Sequence, residues 1–373
     1  TRRQIEEKKP AEITDALRLA PGVSIAQSGT FGKQSRVFLR GASPAQTLVL
    51  IDGVRVNVSS FGGFDFGGLS PENIERIEVL RGPQSALYGS DAMGGVINII
   101  TRRGSGDFKV GGKLEFGNYS TNRQVINGGG EFGDNRVSFS VSRYDTDGFF
   151  QNDDFRNLGA SLRLDHALSQ KKNLAFTARL DNGKGGTPGQ INPDYFAFDP
   201  DARSENRQFN SSIEYSNDAG KRLDRVILGL SDRRLNFRDE FDSLDFFPSS
   251  SDNNYKDRTL LMDAQTSFNL GKHILTVGGE LRRDSADLRL LSDFGFGPSL
   301  TAFSPETTTR AFFIQDEFRS GKFTLVPGLR YEKNSQFGSD VNGRLAAAYQ
   351  LSTRTKVKAS YGTGFRAPSF DQL

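Results

Sequence analysis

Ser70-Pro-Glu-Asn-Ile-Glu-Arg-Ile-Glu-Val-Leu-Arg-Gly-Pro-Gln-Ser-Ala-Leu-Tyr-Gly-Ser-Asp-Ala-Met-Gly-Gly-Val-Ile-Asn-Ile-Ile-Thr-Arg102 places Gly, Pro and charged residues where a small, tightly turned domain needs them. Upstream, Val37–Gly41, Thr47–Ile51 and Val54–Asn57 read as short strands. Asp52-Gly53 suits the left-handed positions of a tight hairpin between the last two. Before them, Ile13, Leu17 and Ala20 share one face of a helix predicted over Ala11–Ala20, which Pro21-Gly22 stops. Phe61–Gly68 is a glycine-rich loop, and with no Gly-Lys-Ser/Thr after it a phosphate-binding loop is excluded. Residues 1–104 are thus predicted to form a small mixed α/β domain.

The segments LRG, LVLIDGVRVN and IERIEVLRGPQSALYGSDAMGGVINIITRR, in that order, resemble the plug domain of TonB-dependent outer-membrane receptors. From about Asp107 the pattern changes to period two. Val137, Phe139 and Val141 alternate with Ser138, Ser140 and Ser142; Leu174, Phe176 and Leu180 alternate with Thr177, Arg179 and Asp181. Each strand has one greasy and one wet face. A soluble sandwich alternates too. Here, however, segments of roughly ten residues are separated by short turns such as Gly133-Asp-Asn135 and Ser320-Gly-Lys322 on one side and by long polar loops on the other. That is the arrangement of an outer-membrane barrel. The predicted fold is an all-β transmembrane antiparallel β-barrel over residues 105–373, with an N-terminal α/β plug domain, residues 1–104, in its lumen.

Composition narrows the function. The 373 residues include no Cys, which rules out disulfides and thiolate metal sites. No run approaches the ~18 apolar residues of a membrane helix, and barrel strands leave little trace in average hydropathy. Residues 1–104 hold 13 basic and 10 acidic side chains, the remainder 35 of each. With no basic block, no nucleic-acid partner is expected. The two histidines, His166 and His273, lie in separate strand contexts, and no catalytic residues and no enzyme activity are predicted. An outer-membrane lipase would need a Ser-His motif that is not visible. Thirteen strand candidates precede Leu373, whereas plugged bacterial barrels have about 22. The sequence is expected to be trimmed at both ends, with neither a signal peptide nor the TonB-pairing segment before Thr1.

The resemblance implies the rest. Asn334-Ser-Gln-Phe-Gly338 and the closing Phe365-Arg-Ala-Pro-Ser-Phe-Asp-Gln-Leu373 are similar to the cobalamin (vitamin B12) branch of the family. It implies uptake of cobalamin or a related corrinoid across the outer membrane of a Gram-negative bacterium, energised through TonB. The alternatives are a ferric-siderophore receptor and a non-transporting signalling receptor. Asn57, Ser59, Ser60, Phe61, Phe64 and Phe66 of the apical loop are the expected ligand-binding residues, offering apolar surface and hydrogen-bonding groups. Arg40 and Arg81 are expected to meet carboxylates on the barrel wall, with inward-facing Glu280 and Glu317 as partners. Asp194, Asp199 and Asp201 offer hard oxygen ligands for the calcium that orders acidic loops in that branch.

Overall fold

The computed structural model describes residues 1–372 apart from residues 9, 11, 189–190, 193–194, 197–198 and 242–248. The chain opens with helices α1 (Arg2–Lys8) and α2 (Ile13–Arg18). Glu12 and Asp15 form a capping box at the start of α2, each side chain receiving the other's backbone N–H. Ile13 and Leu17 are buried, as their spacing predicts, but the helix ends before Ala20 and the chain turns through Gly22 at φ 76°. Strands β1 (Val23–Gln27) and β2 (Ser35–Leu39) pair with each other. The main plug sheet runs β4-β3-β6-β5, built from β3 (Thr47–Ile51), β4 (Val54–Arg55), β5 (Ile74–Arg81) and β6 (Gly95–Thr101), with the short helix α3 (Ser85–Tyr88) between the last two.

Strands β3 and β6 are parallel and lie at the centre of the sheet. That explains why Leu48–Ile51 and Val96–Ile100 are nearly unbroken apolar runs rather than alternating ones. The β3–β4 hairpin has Asp52 at φ 49° and Gly53 at φ 83°, the left-handed pair expected of Asp-Gly. The Asp52 carboxylate accepts the Thr101 amide at 2.9 Å and its hydroxyl at 2.8 Å, tying the hairpin to the end of β6. The glycine-rich stretch after β4 is folded, not loose. Phe64 and Phe66 pack edge to face at 4.7 Å and join Ile13, Leu17, Val49 and Ile97 in the plug core.

Among the described residues, thirteen strands then follow one another in an antiparallel wall, with a fourteenth paired on one of them. They are β7 (Lys109–Phe116), β8 (Asn122–Phe132), β9 (Asn135–Thr146), β10 (Phe155–Ala167) and β11 (Lys172–Gly186). After a small pair, β12 (Ile191–Asn192) and β13 (Tyr195–Phe196), follow β14 (Arg203–Asp218), β15 (Arg222–Asp239), β16 (Ser250–Leu270) and β17 (His273–Asp293). A short β18 (Ser299–Phe303) pairs on β17. The wall continues with β19 (Glu306–Ser320), β20 (Phe323–Asn334), β21 (Gly338–Gln350) and β22 (Lys356–Gly362). Its order follows the chain, with β7 and β22 at the two open edges.

The alternation is inside out relative to a soluble protein. Ser138, Ser140 and Ser142 of β9 are buried against the plug, while Val141 is 47% exposed on the outer face. Leu174 and Leu260 likewise face outward, and their neighbours Thr177, Arg179 and Thr259 face the lumen. Short turns at Gly133–Asp134, Gly271–Lys272 and Gly321–Lys322 mark the periplasmic side, and the longer connections mark the other. No helix among the described residues is long and apolar enough to cross a membrane.

Candidate ligand cavity and the plug–barrel contacts

Between the plug apex and the outer half of the barrel wall lies a cavity of about 660 Å³. Its floor comes from Gly32 and Lys33 of the β1–β2 loop, from Arg36 of β2, and from the apical loop, with Phe61, Asp65 and Gly68. Its walls carry Phe155 and Asn157 of β10, Asn206 and Gln208 of β14, Tyr255 of β16, Leu288 of β17 and Phe303 of β18. Phe61 stands edge-on to Tyr255 at 5.9 Å and lies between two guanidinium groups, Arg233 at 5.4 Å and Arg36 at 6.0 Å.

Of the six apical residues expected at the ligand, only Phe61 lines this cavity. The others have different work. Phe64 and Phe66 face the plug core, because the loop must cover the apolar top of the sheet. Asn57 is buried and spent on backbone: its Oδ1 accepts the Val49 amide at 2.7 Å and its Nδ2 donates to the Thr47 carbonyl at 3.0 Å. Ser60 is fully buried on barrel Asp257, with both its amide and its hydroxyl donating at 2.8 Å. Ser59 gives its carbonyl to the Phe370 amide at 2.9 Å.

Among the described residues, the ionic contacts between plug and wall are made by residues other than Arg40 and Arg81. Arg40 and Arg81 are exposed. Arg81 donates to the Pro21 carbonyl of the plug itself at 3.1 Å, and no ion pair is recorded for either among the described residues. Glu280 does face the lumen, but its partners are barrel arginines, Arg282 at 3.2 Å and Arg330 at 3.1 Å. Glu317 pairs with Arg319 on its own strand at 2.7 Å. The plug instead mostly supplies carboxylates to barrel arginines: Asp52 to Arg163 at 3.4 Å, Asp65 to Arg233 at 3.6 Å and Glu72 to Arg123 at 2.6 Å. Two plug cations reach the wall, Arg103, 3.3 Å from Asp165 of β10, and Lys33. Lys33 donates to the carbonyls of Gly186 at 2.7 Å and Asp154 at 3.1 Å and lies 3.4 Å from the Asp153 carboxylate. Burial pulls the Lys33 ammonium below its ordinary range against the attraction of Asp153. Burial likewise pushes the Asp65 carboxyl up, opposed by Arg233 and by the Ser35 and Gly67 amides.

A sequence signal for this wall does exist. Arg163-Leu-Asp165, Arg179-Leu-Asp181, Arg282-Arg-Asp284 and Arg330-Tyr-Glu332 repeat an Arg-x-acid spacing at lumen-facing parity. In each, the guanidinium Nε donates to the acid two residues on, at 2.7–2.9 Å.

Of the acidic trio expected to take calcium, Asp194 lies outside the described residues. Asp199 and Asp201 come together with Asp239, at the end of β15, with carboxylate oxygens within 4.8 Å of one another. His273 has an acidic neighbour that sequence spacing could not reveal, Asp316 on the paired strand at 2.7 Å. This pair sits partly exposed at the turn end of the barrel, against the Phe318 ring.

A lumen-filling α/β plug, an outward-greasy antiparallel wall and a cavity at the plug apex define a plugged outer-membrane β-barrel. Residues 1–96 match the TonB-dependent receptor plug domain and residues 101–373 the TonB-dependent receptor-like β-barrel, and the chain belongs to this family of outer-membrane receptors. It is similar to the vitamin B12 transporter BtuB of Photobacterium profundum, 30% identical over 389 residues, covering 100% of this chain and 59% of that one. BtuB of Vibrio vulnificus (strain CMCP6) is 28% identical over 396 residues, covering 100% and 60%. The chain therefore spans about 60% of the length of these curated relatives. Among solved structures, the siderophore receptor PirA of Pseudomonas aeruginosa superposes with a TM-score of 0.74 at 23% identity, covering 98% of this chain and 61% of that one. The ferric yersiniabactin receptor FyuA of Yersinia pestis gives 0.77 at 18%, covering 92% and 60%. Both likenesses concern the fold.

Proposed function

We propose that this protein takes up cobalamin or a related corrinoid across the outer membrane, drawing energy from the inner membrane through TonB. The observation that carries the reading is the apical cavity, whose volume falls in the range of small-molecule sites, roughly 300–1,000 Å³, and whose lining mixes Phe61, Tyr255, Phe303 and Leu288 with Asn206, Gln208 and Asn157. A large amphipathic ligand with many amide groups needs that mixture of flat apolar contact and neutral hydrogen-bonding side chains. Likeness to vitamin B12 transporters along the whole chain supports the same ligand. The outer membrane has no ATP supply, so uphill uptake requires an energised partner, and family membership supports TonB in that role.

The ferric-siderophore reading rests on the cationic floor: Lys33 and Arg36 at the cavity and Arg233 behind Phe61 suit an anionic chelate. Titrating the full-length protein with cyanocobalamin and, separately, with ferric citrate and a ferric catecholate decides between them. Saturable binding of cyanocobalamin alone is the expected result; saturable binding of a ferric chelate without cobalamin overturns the ligand and leaves the receptor class standing. Calcium is expected to join at Asp199, Asp201 and Asp239. Cobalamin affinity should then fall on chelation of calcium, and Asp201→Asn should abolish that dependence.

A further inference from the structure

Arg233 of β15 is buried with donors to spare. Its side chain is 3% exposed, yet neither of its Nη groups has a hydrogen-bond partner among the described residues. Nε donates to Asn206 Oδ1 at 2.9 Å, and the Asp65 carboxylate that it faces stands 3.6 Å from Nη2, outside hydrogen-bonding distance. Buried donors left unmade are costly, and their persistence calls for an acceptor that the chain itself does not supply.

Phe61 separates these donors from the apical cavity. The guanidinium carbon lies 5.4 Å from the ring centroid, and Phe61, Asp65 and Asn206 all line the cavity while Arg233 does not. A second guanidinium, Arg36, meets the same ring at 6.0 Å. It is exposed on the cavity floor, with no ion pair recorded among the described residues. The acids nearby are engaged: Asp65 accepts the Ser35 and Gly67 amides at 2.8 and 2.9 Å, Asp257 takes both donors of Ser60, and Asp181 holds Arg179. Asp371, which also lines the cavity, is exposed. Two guanidiniums converging on one ring, one of them with open donors, describe a place for an anion that arrives from the cavity.

We propose that Arg36 and Arg233 form a subsite for an anionic group of the ligand, uncovered when the Phe61 ring turns aside. This rests on the corrinoid reading above, and the group is then the phosphodiester of the nucleotide loop of a cobalamin. Its two unesterified oxygens match the paired donors of a guanidinium fork. Asn206, Gln208 and Asn157 are left for the ligand's amides. The ring acts as a cover: it stacks on both cations while the cavity is empty and yields them to a ligand that brings its own charge.

The test compares cyanocobalamin with dicyanocobinamide, a corrinoid without the phosphodiester, by equilibrium binding to the full-length protein. A hydrogen-bonded contact between charged groups carries roughly tenfold to a hundredfold in affinity. Arg36→Gln and Arg233→Gln should each weaken cyanocobalamin by about that factor more than they weaken dicyanocobinamide. Arg36 is exposed, so its variant reads the contact even if loss of Arg233 disturbs folding. Asp371→Asn removes an opposing charge and should tighten cyanocobalamin alone. Phe61→Ala uncovers Arg233 and should let inorganic phosphate compete with cyanocobalamin, which it should not do in the parent. Equal losses for the two corrinoids, or an unchanged cyanocobalamin affinity in both Gln variants, would overturn the subsite and leave the ligand reading standing. Phosphate competing in the parent as well would overturn it by revealing a free-anion site with no cover. Binding of ferric citrate with neither corrinoid would overturn the ligand reading itself, and the phosphodiester with it.

Discussion

Replacing Lys33 with Met should loosen the upper plug, and the geometry sets the size of the effect. The Lys33 side chain is 6% exposed and that of Asp153 not at all. The ammonium serves three acceptors on the barrel, two carbonyls and the carboxylate. Met keeps most of the stem's packing and removes all three. Stripping one partner from a buried pair costs about 3–5 kcal/mol, because the remaining charge is stranded. The lower end applies, since Asp153 keeps the Thr30 hydroxyl at 2.7 Å and the Phe149 amide at 2.9 Å. A loss of about 3 kcal/mol corresponds to amide exchange roughly a hundredfold faster. It should appear in peptides covering residues 28–39 of the membrane-embedded protein, measured by hydrogen exchange and mass spectrometry. Adding Asp153→Asn to Lys33→Met removes the stranded charge and should recover part of the protection. Exchange in the single variant as slow as in the parent, or a double variant no better than the single, would refute the reasoning.

Three further outcomes follow from the packing of the plug and the wall. Gly32→Ala should destabilise the plug by about 1–3 kcal/mol, since φ is 78° and a Cβ there would sit 2.2 Å from the Phe155 ring; thermal unfolding of the plug measures it. Phe176→Arg puts a charge on the lipid face and should cost about 2–4 kcal/mol in barrel assembly, read from the folded fraction on gels, whereas Phe176→Leu should assemble normally. Burial raises the Glu12 carboxyl above its ordinary 4.5, so its folding contribution is present below that value and is lost as pH rises through the raised one. Glu12→Gln should therefore melt higher than the parent at neutral pH, with the gap closing as the pH approaches 4.5; a constant gap would contradict the burial argument.

Most of the architecture could be read from the sequence because period and turn chemistry are local. Asp52-Gly53 fixed one hairpin, Gly133-Asp134 and Gly321-Lys322 marked short turns, and the alternation of Val137–Ser142 assigned both faces of β9. The site was less legible, since its contacts join residues far apart in the chain. Lys33 meets Asp153, and Ser60 meets Asp257, across distances that no spacing rule encodes. Phe64 and Phe66 differ from Phe61 only in direction: two point down into the plug core and one up into the cavity, and three phenylalanines in a glycine-rich loop do not disclose which is which. Arg40 and Arg81 stand out in their motifs, yet the ionic partners of the wall came mostly from plug acids, and only the Arg-x-acid repeat, read at barrel parity, pointed that way.

That repeat has a mechanical consequence. Arg163 meets Asp52 at 3.4 Å but holds Asp165 through two donors at 2.8 and 3.0 Å, and Arg179 and Arg330 reach only carbonyl oxygens of the plug while each keeps its own acid. Displacing the plug from these points leaves no bare guanidinium on the wall, so a sliding plug meets little electrostatic drag there. At the apex Arg233 has no acid two residues away, and the contacts of plug Lys33 with Gly186 and of Ser60 with wall Asp257 lack such a self-paired arrangement. A plug under tension should therefore release the self-paired contacts first and those around the apical cavity last.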